Sequence, residues 1–165
     1  MQTDTERLWF VAHTRPRCEK KLAQYCERES VAVTLPCYRS VRKYRGKKVT
    51  FYKPLFPNYV FLQLFTGQRQ KVYQSDYVAN LLEVTDQDLF AQQLADILHA
   101  LDTDLEVRLA PQIQEGVRVK IKSGPLRGVE GLVQQRSGTT QVILRLDFIS
   151  QAAAVKIDAD ELELI

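Results

Sequence analysis

The sequence predicts an α+β fold for residues 1–101, an antiparallel sheet sandwiched with helices, followed by a small β-barrel in residues 114–165. Three observations carry this. Strand-like and helix-like segments alternate from Leu8 to Leu101. The run Pro54-Leu55-Phe56-Pro57-Asn58-Tyr59-Val60-Phe61-Leu62 frames a turn with two prolines and enters a strand that is apolar on both faces. Past residue 113 the text turns to short alternating segments separated by glycines. A chain that is 45% hydrophobic and 26% charged is no candidate for disorder. Its 165 residues suffice for one compact domain or two small ones.

Leu8-Trp9-Phe10-Val11-Ala12 reads as a short buried strand, and Pro16 suits the first turn of a helix. Cys18, Leu22, Tyr25, Cys26 and Glu29 recur at helical spacing, with Lys20, Lys21, Gln24 and Arg28 on other faces. Residues 31–44 are β-rich. Gly46, among Arg45, Lys47 and Lys48, marks a hairpin tip before strand residues 49–53. In the next strand, Val60, Leu62 and Leu64 point one way and Tyr59, Phe61 and Phe65 the other. A sheet in a small domain commonly wets one face. Here both faces are apolar, so either the protein's own helices or a partner must cover the second.

Residues 67–75 have room for a short helix, and 78–84 read as a strand. Thr85 and Asp86 can cap a helix with the stripe Phe90, Leu94, Ile97, Leu98 and Leu101. Asp102, Asp104, Glu106 and Pro111 break the pattern, so 102–113 is expected to be a linker. Val117 to Lys122 then alternates, Gly124-Pro125 turns, and Gly128, Gly131 and Gly138 punctuate further strands at 142–146 and 154–157. A tightly curled barrel needs such glycines for sharp bends and close backbone approach.

Charge divides the chain. Residues 1–85 hold 15 Lys+Arg against 7 Asp+Glu, net +8, and residues 86–165 hold 8 against 13, net −5. A basic first part suits nucleic acid, and the acidic second part argues against an RNA-binding barrel. Six cations fall within Arg39–Lys48: Arg39, Arg42, Lys43, Arg45, Lys47 and Lys48. Cys18, Cys26 and Cys37 are odd in number and lack metal-ligand spacing, so neither a disulfide framework nor zinc is expected. Cys18 and Cys26 are expected to be buried structural thiols. No catalytic constellation surrounds His13 or His99, and no glycine-rich phosphate loop is present, so neither enzyme chemistry, a cofactor nor a metal is expected. The absence of a membrane-length apolar stretch and of a leader pattern predicts a cytoplasmic protein that engages no membrane, expected to be a monomer.

Trp9-Phe10-Val11, Arg45-Gly46-Lys47-Lys48 and Pro54 to Phe61 together resemble the N-terminal domain of the NusG family. The likeness is nearer the specialised RfaH-like branch, because Asn58 stands where general NusG proteins usually carry Gly. Val117-Arg118-Val119 with Gly124-Pro125-Leu126-Arg127-Gly128-Val129-Glu130-Gly131-Leu132-Val133 resembles a KOW motif, which makes the barrel a KOW domain. The resemblance implies a bacterial transcription elongation or antitermination factor. Such a factor rides on RNA polymerase and suppresses pausing or termination, here at specific operons. An alternative is a general factor coupling polymerase to Rho or the ribosome, and another is an RNA- or ribosome-binding KOW protein.

In the family an apolar depression docks on the clamp helices of the polymerase, and Phe56, Tyr59 and Phe61 match it. The resemblance places a possible contact with the non-template DNA strand at the start of the first helix. Arg15, Lys21 and Tyr25 supply two cations and a stacking ring there, and Lys20 with the hairpin cations Arg42, Lys43, Arg45 and Lys47 are expected phosphate contacts. The family's barrel loop engages Rho or a small-subunit ribosomal protein, and Phe148 and Ile149 match that loop. Phe148 reads equally as a partner anchor or as a cap over the barrel end. The RfaH-like His-Thr-Thr run has no counterpart in Gln68–Ser75, and Asp76 stands where that branch offers DNA a cation. Lys53 replaces the acidic residue that holds the RfaH-like closed state, so the C-terminal domain is expected to be a β-barrel rather than a helical hairpin.

Overall fold

The computed structural model describes residues 6–113, 116–136 and 138–165, so the expected domain starts at residues 1 and 114 lie outside it. The chain divides into two compact units, one of residues 6–37 and 56–88, the other of residues 38–55 and 89–165. This grouping places the Arg39–Lys48 hairpin and most of the long helix in the second unit.

In the first unit, β1 (Leu8–Thr14) leads to α1 (Glu19–Arg28), then β2 (Ala32–Thr34). The helix starts three residues after Pro16, because Arg17 takes a left-handed conformation (φ 61°) that cannot continue a helix. In the second unit, β3 (Cys37–Tyr44) and β4 (Lys47–Pro54) form a two-stranded ribbon. Its turn residues Arg45 (φ 48°) and Gly46 (φ 80°) both have positive φ, the geometry a two-residue hairpin demands.

The first unit resumes with β5 (Tyr59–Leu64), a single 3-10 turn, α2 (Arg69–Tyr73) and β6 (Val78–Glu83). Its antiparallel sheet runs β2-β5-β1-β6. Phe10, Ala12, Val60, Leu62 and Leu64 face one side and pack with Leu22 and Cys26 of α1 and Val72 of α2. The alternation expected of Val60, Leu62 and Leu64 therefore holds, and it forms the core of this unit. Phe65 falls just past β5, where Arg7 lies 5.0 Å above its ring. Cys26 is buried, whereas Cys18 is half-buried and sits before the helix, so only one of the two expected core thiols is in the core. Burial pushes the Cys26 thiol up to about 11 and raises Cys37 as well.

The helix α3 (Gln87–Leu101) buries Phe90, Leu94, Ile97 and Ala100, and leaves His99 exposed on its polar side. Its first residue also closes a gap in the sheet. Beyond the last β1–β6 pair, Gln87 Oε1 accepts from the Trp9 N–H at 2.6 Å, and its Nε2 donates to the Trp9 carbonyl at 2.9 Å.

The expected linker 102–113 contains a strand. β7 (Val107–Pro111) pairs antiparallel with β11 (Gln151–Lys156), from Val107 opposite Val155 to Pro111 opposite Gln151. β8 (Val117–Ile121), β9 (Glu130–Arg136), β10 (Thr139–Leu146) and β12 (Leu162–Leu164) complete a six-stranded sheet in the order β12-β8-β9-β10-β11-β7. Pro111 is tolerated because β7 is the last strand in this order, and proline's missing N–H costs least at an edge. Past Leu101 the described residues form strands and 3-10 turns with no α-helix, as the glycine pattern predicts. Gly131 shows the reason most directly. A Cβ there would lie 2.6 Å from Val142 Cγ1 and 2.8 Å from the Ile143 carbonyl oxygen, so only glycine lets β9 approach β10 this closely.

Candidate functional site

The face of the first sheet opposite α1 and α2 carries Val11, His13, Tyr59 and Phe61, with Val11 opposite Phe61 and His13 opposite Tyr59. Phe56 and Phe61 are 1% and 0% exposed, and their rings lie 6.1 Å apart. An aromatic face open to a partner was expected, and two of its three residues are buried in this conformation. Tyr59 is half-buried and packs 5.4 Å from the exposed His13 ring, so this pair forms the accessible margin of the face. The turn leading into it is built by Asn58, whose φ of 70° is left-handed, and Glu19 Oε2 accepts from its N–H at 3.3 Å. Asparagine and glycine both tolerate that conformation. The Asn-for-Gly difference therefore satisfies one backbone requirement in two ways and does not by itself mark a specialised branch.

At the start of α1 the expected strand-reading residues are less free than their types suggest. Arg15 forms an exposed ion pair with Asp76 at 3.4 Å, so the acidic residue standing where a cation was expected also draws on a neighbouring cation. The Tyr25 hydroxyl donates to the Lys71 carbonyl at 2.7 Å, and its ring packs at the edge of the core. Burial, with Glu29 adding to it, raises the Tyr25 phenol. Tyr25 is thus a tether between α1 and α2 rather than a free stacking ring. Lys20 and Lys21 are exposed on the helix.

Arg42, Lys43, Arg45 and Lys47 all lie exposed at the free end of the β3–β4 ribbon, with Lys48 beside them. The sequence therefore placed these four correctly at one end of one hairpin. They are not brought together with Arg15 and Lys20 in one compact unit.

The turn after β10 holds Phe148 and Ile149. Ile149 is buried and belongs to the core of its unit. Phe148 is half-buried and meets Phe90 of α3 edge-on, with ring centres 6.3 Å apart. Asp147 ties this turn down. Gln93 Nε2 donates to Asp147 Oδ2 at 2.9 Å, and the Asp147 N–H donates back to Gln93 Oε1 at 3.0 Å. Gln112 Nε2 donates to Asp147 Oδ1 at 2.5 Å, and Arg145 lies 3.6 Å from the same oxygen. Nothing in the sequence pattern marked Gln93 or Gln112, since polar residues on a helix and in a loop carry no periodic signal.

The family described as "Transcription termination factor nusG" matches residues 7–90, which span β1 to the first turn of α3. The chain belongs to the NusG family. NusG proteins are transcription factors rather than enzymes and generally bind RNA polymerase. No curated protein matches the chain. Among solved structures it resembles NusG from Thermotoga maritima, described as showing domain interaction, at 19% identity and a TM-score of 0.58 over 99% of each chain. That likeness extends the NusG fold to the C-terminal β domain, which is KOW-like. Among the described residues, no helix is long and apolar enough to cross a membrane.

Proposed function

We propose that this NusG-family chain is a bacterial transcription elongation factor that docks on the clamp helices of RNA polymerase through Phe56, Tyr59 and Phe61. The observation that carries the reading is the second apolar face of the sheet, built on the Val11–Phe61 and His13–Tyr59 pairs within the segment matched by the family. Docking removes the half-buried Tyr59 ring from water at about 25 cal/mol per Å² of apolar area, whereas Phe56 and Phe61, already buried, only exchange one apolar cover for another. Docking on Phe56 and Phe61 requires this face to be uncovered, and the Tyr59–His13 margin is where contact begins. The exposed cations of the β3–β4 ribbon, with Lys20 and Lys21, then face the nucleic acid of the elongation complex, the non-template strand included. Action at particular operons, with suppression of pausing or termination, is part of the proposal; since Asn58 alone does not decide the branch, it rests on the RfaH-like, gap-free spacing from Trp9 to Phe61.

A second reading, coupling to Rho or to a small-subunit ribosomal protein, is favoured by the half-buried Phe148. In it, Phe148 becomes the anchor once Asp147 is released from Gln93. Single-round transcription by purified core polymerase tests the main reading. The full chain should shorten pauses or increase read-through, and Tyr59→Ala should lose most of that effect while keeping its circular dichroism. Elongation unchanged by the wild-type protein on all templates would reject it.

A further inference from the structure

We infer that the free end of the β3–β4 ribbon is a stacking platform for single-stranded DNA, and not only a set of phosphate contacts. Val41, Tyr44, Phe51 and Tyr52 are 54%, 54%, 38% and 59% exposed, so this one ribbon holds four of the exposed large apolar side chains among the described residues. The ribbon pairs with no further strand among those residues. Exposed Tyr44 and Phe51 rings on a two-stranded ribbon lose hydrophobic stabilisation that a covered sheet would have.

Charge says what covers them. Tyr38–Leu55 contains seven cations and no acidic residue. A polyanion fits this and an ordinary protein surface does not. The arrangement narrows the polyanion further. Tyr44 and Phe51 meet edge-on with ring centres 6.2 Å apart, which puts them on one face of the ribbon. Strand alternation places Arg42 and Lys47 on that same face and Val41 and Tyr52 on the other, so the platform is the Tyr44–Phe51 pair with these two cations. A cluster of rings flanked by cations matches the two needs of an unpaired strand, bases to be stacked and phosphates to be neutralised. A duplex hides its bases inside the stack and gives the rings nothing to cover them. The proposal rests on the elongation-factor reading only for the choice of DNA, since a polymerase-bound factor lies beside an unpaired non-template strand. Binding by the isolated protein does not depend on that reading.

The test is fluorescence anisotropy with the full chain and a labelled mixed-sequence 12-nucleotide single strand, its duplex, and the RNA of the same sequence. Tighter binding of the single-stranded DNA than of the duplex is expected, with the RNA binding no tighter than the DNA. Tyr44→Ala and Phe51→Ala should each weaken it roughly tenfold, while Tyr44→Phe keeps it. Arg42→Gln/Lys47→Gln should lower the salt slope by about 1.4, from about 0.7 per phosphate contact on a single strand. These side chains are exposed, and unchanged thermal melting of each variant confirms folding. Equal affinity for duplex, or alanine variants indistinguishable from wild type, would overturn the stacking platform. Tighter binding of RNA would overturn the assignment to DNA. Alanine variants that lose retention on core polymerase yet bind the oligonucleotide normally would assign the ribbon to a protein contact instead. Polymerase retention of the wild type, measured separately, keeps failure of the elongation-factor reading distinct from failure of the platform.

Discussion

Replacing Gln93 by Ala should free the Phe148 turn without unfolding the β domain. Gln93 makes two hydrogen bonds to Asp147, one to its carboxylate and one from its backbone N–H, at 2.9 and 3.0 Å. Each is worth about 0.5–1.5 kcal/mol net, so their loss costs the turn roughly 2 kcal/mol. Gln112 and Arg145 still hold the carboxylate, and Ile149 remains in the core, so the effect stays local. Phe90 and Phe148 lose part of an edge-on contact worth about 0.5–1.5 kcal/mol as the turn opens. The assay is hydrogen exchange at the amides of Asp147 to Ser150, the last of which bonds the Asp147 carbonyl at 3.0 Å. At about 1.4 kcal/mol per factor of ten, exchange should accelerate about 30-fold. Gln93→Glu should accelerate it more at neutral pH, because it sets a carboxylate against the Asp147 carboxylate. Exchange in Gln93→Ala within about twofold of wild type would refute the assignment of Gln93 as the tie.

Three further outcomes follow from single residues. Gly131→Ala should destabilise the β domain by about 1–3 kcal/mol in urea unfolding, because the new methyl meets Val142 Cγ1 at 2.6 Å and the Ile143 carbonyl oxygen at 2.8 Å. Asn58→Gly should leave the melting temperature nearly unchanged, whereas Asn58→Ala at φ 70° should cost about 1–2 kcal/mol. Burial, and then Glu130, raises the Asp96 carboxyl above 3.8, with His99 pulling the other way. A carboxyl raised in the folded state costs stability above its folded pKa, and that cost fades as the pH falls towards the unfolded value. Asp96→Asn should therefore be more stable than wild type near neutral pH, with the difference disappearing as the pH approaches 3.8; a less stable variant at neutral pH would contradict this.

Much of the fold was legible because periodicity reports burial. The two-residue period of Val60, Leu62 and Leu64 and the helical stripe ending at Leu101 both lie on core faces, or close to them, in the structure. β7 was not legible, since Asp102, Asp104 and Glu106 lead into it and Pro111 ends it, the same signals that mark a loop. Its strand character comes from pairing with β11, a contact forty or more residues away in sequence. The site was read less well for a related reason. Residue type placed Arg42, Lys43, Arg45 and Lys47 on one hairpin, because the signal for its two-residue turn at Arg45-Gly46 is local. The roles of Tyr25, Asp76 and Asp147 depend on partners far away in sequence (Lys71, Arg15 and Gln93), and no local pattern encodes them. The same holds for Phe56 and Phe61. Alternation shows which way they point, but only the folded chain shows that they are covered.

The central claim is docking on polymerase through the Phe56–Phe61 face, and retention on immobilised core RNA polymerase tests it most directly. Wild type should be retained, Tyr59→Ala weakened, and Tyr59→Ala/Phe61→Ala lost, with circular dichroism confirming that each variant is folded. Removing the buried Phe61 ring costs about 3–5 kcal/mol, so the surface variant Tyr59→Ala decides the matter if the double variant unfolds. Retention of Tyr59→Ala equal to wild type would contradict the account.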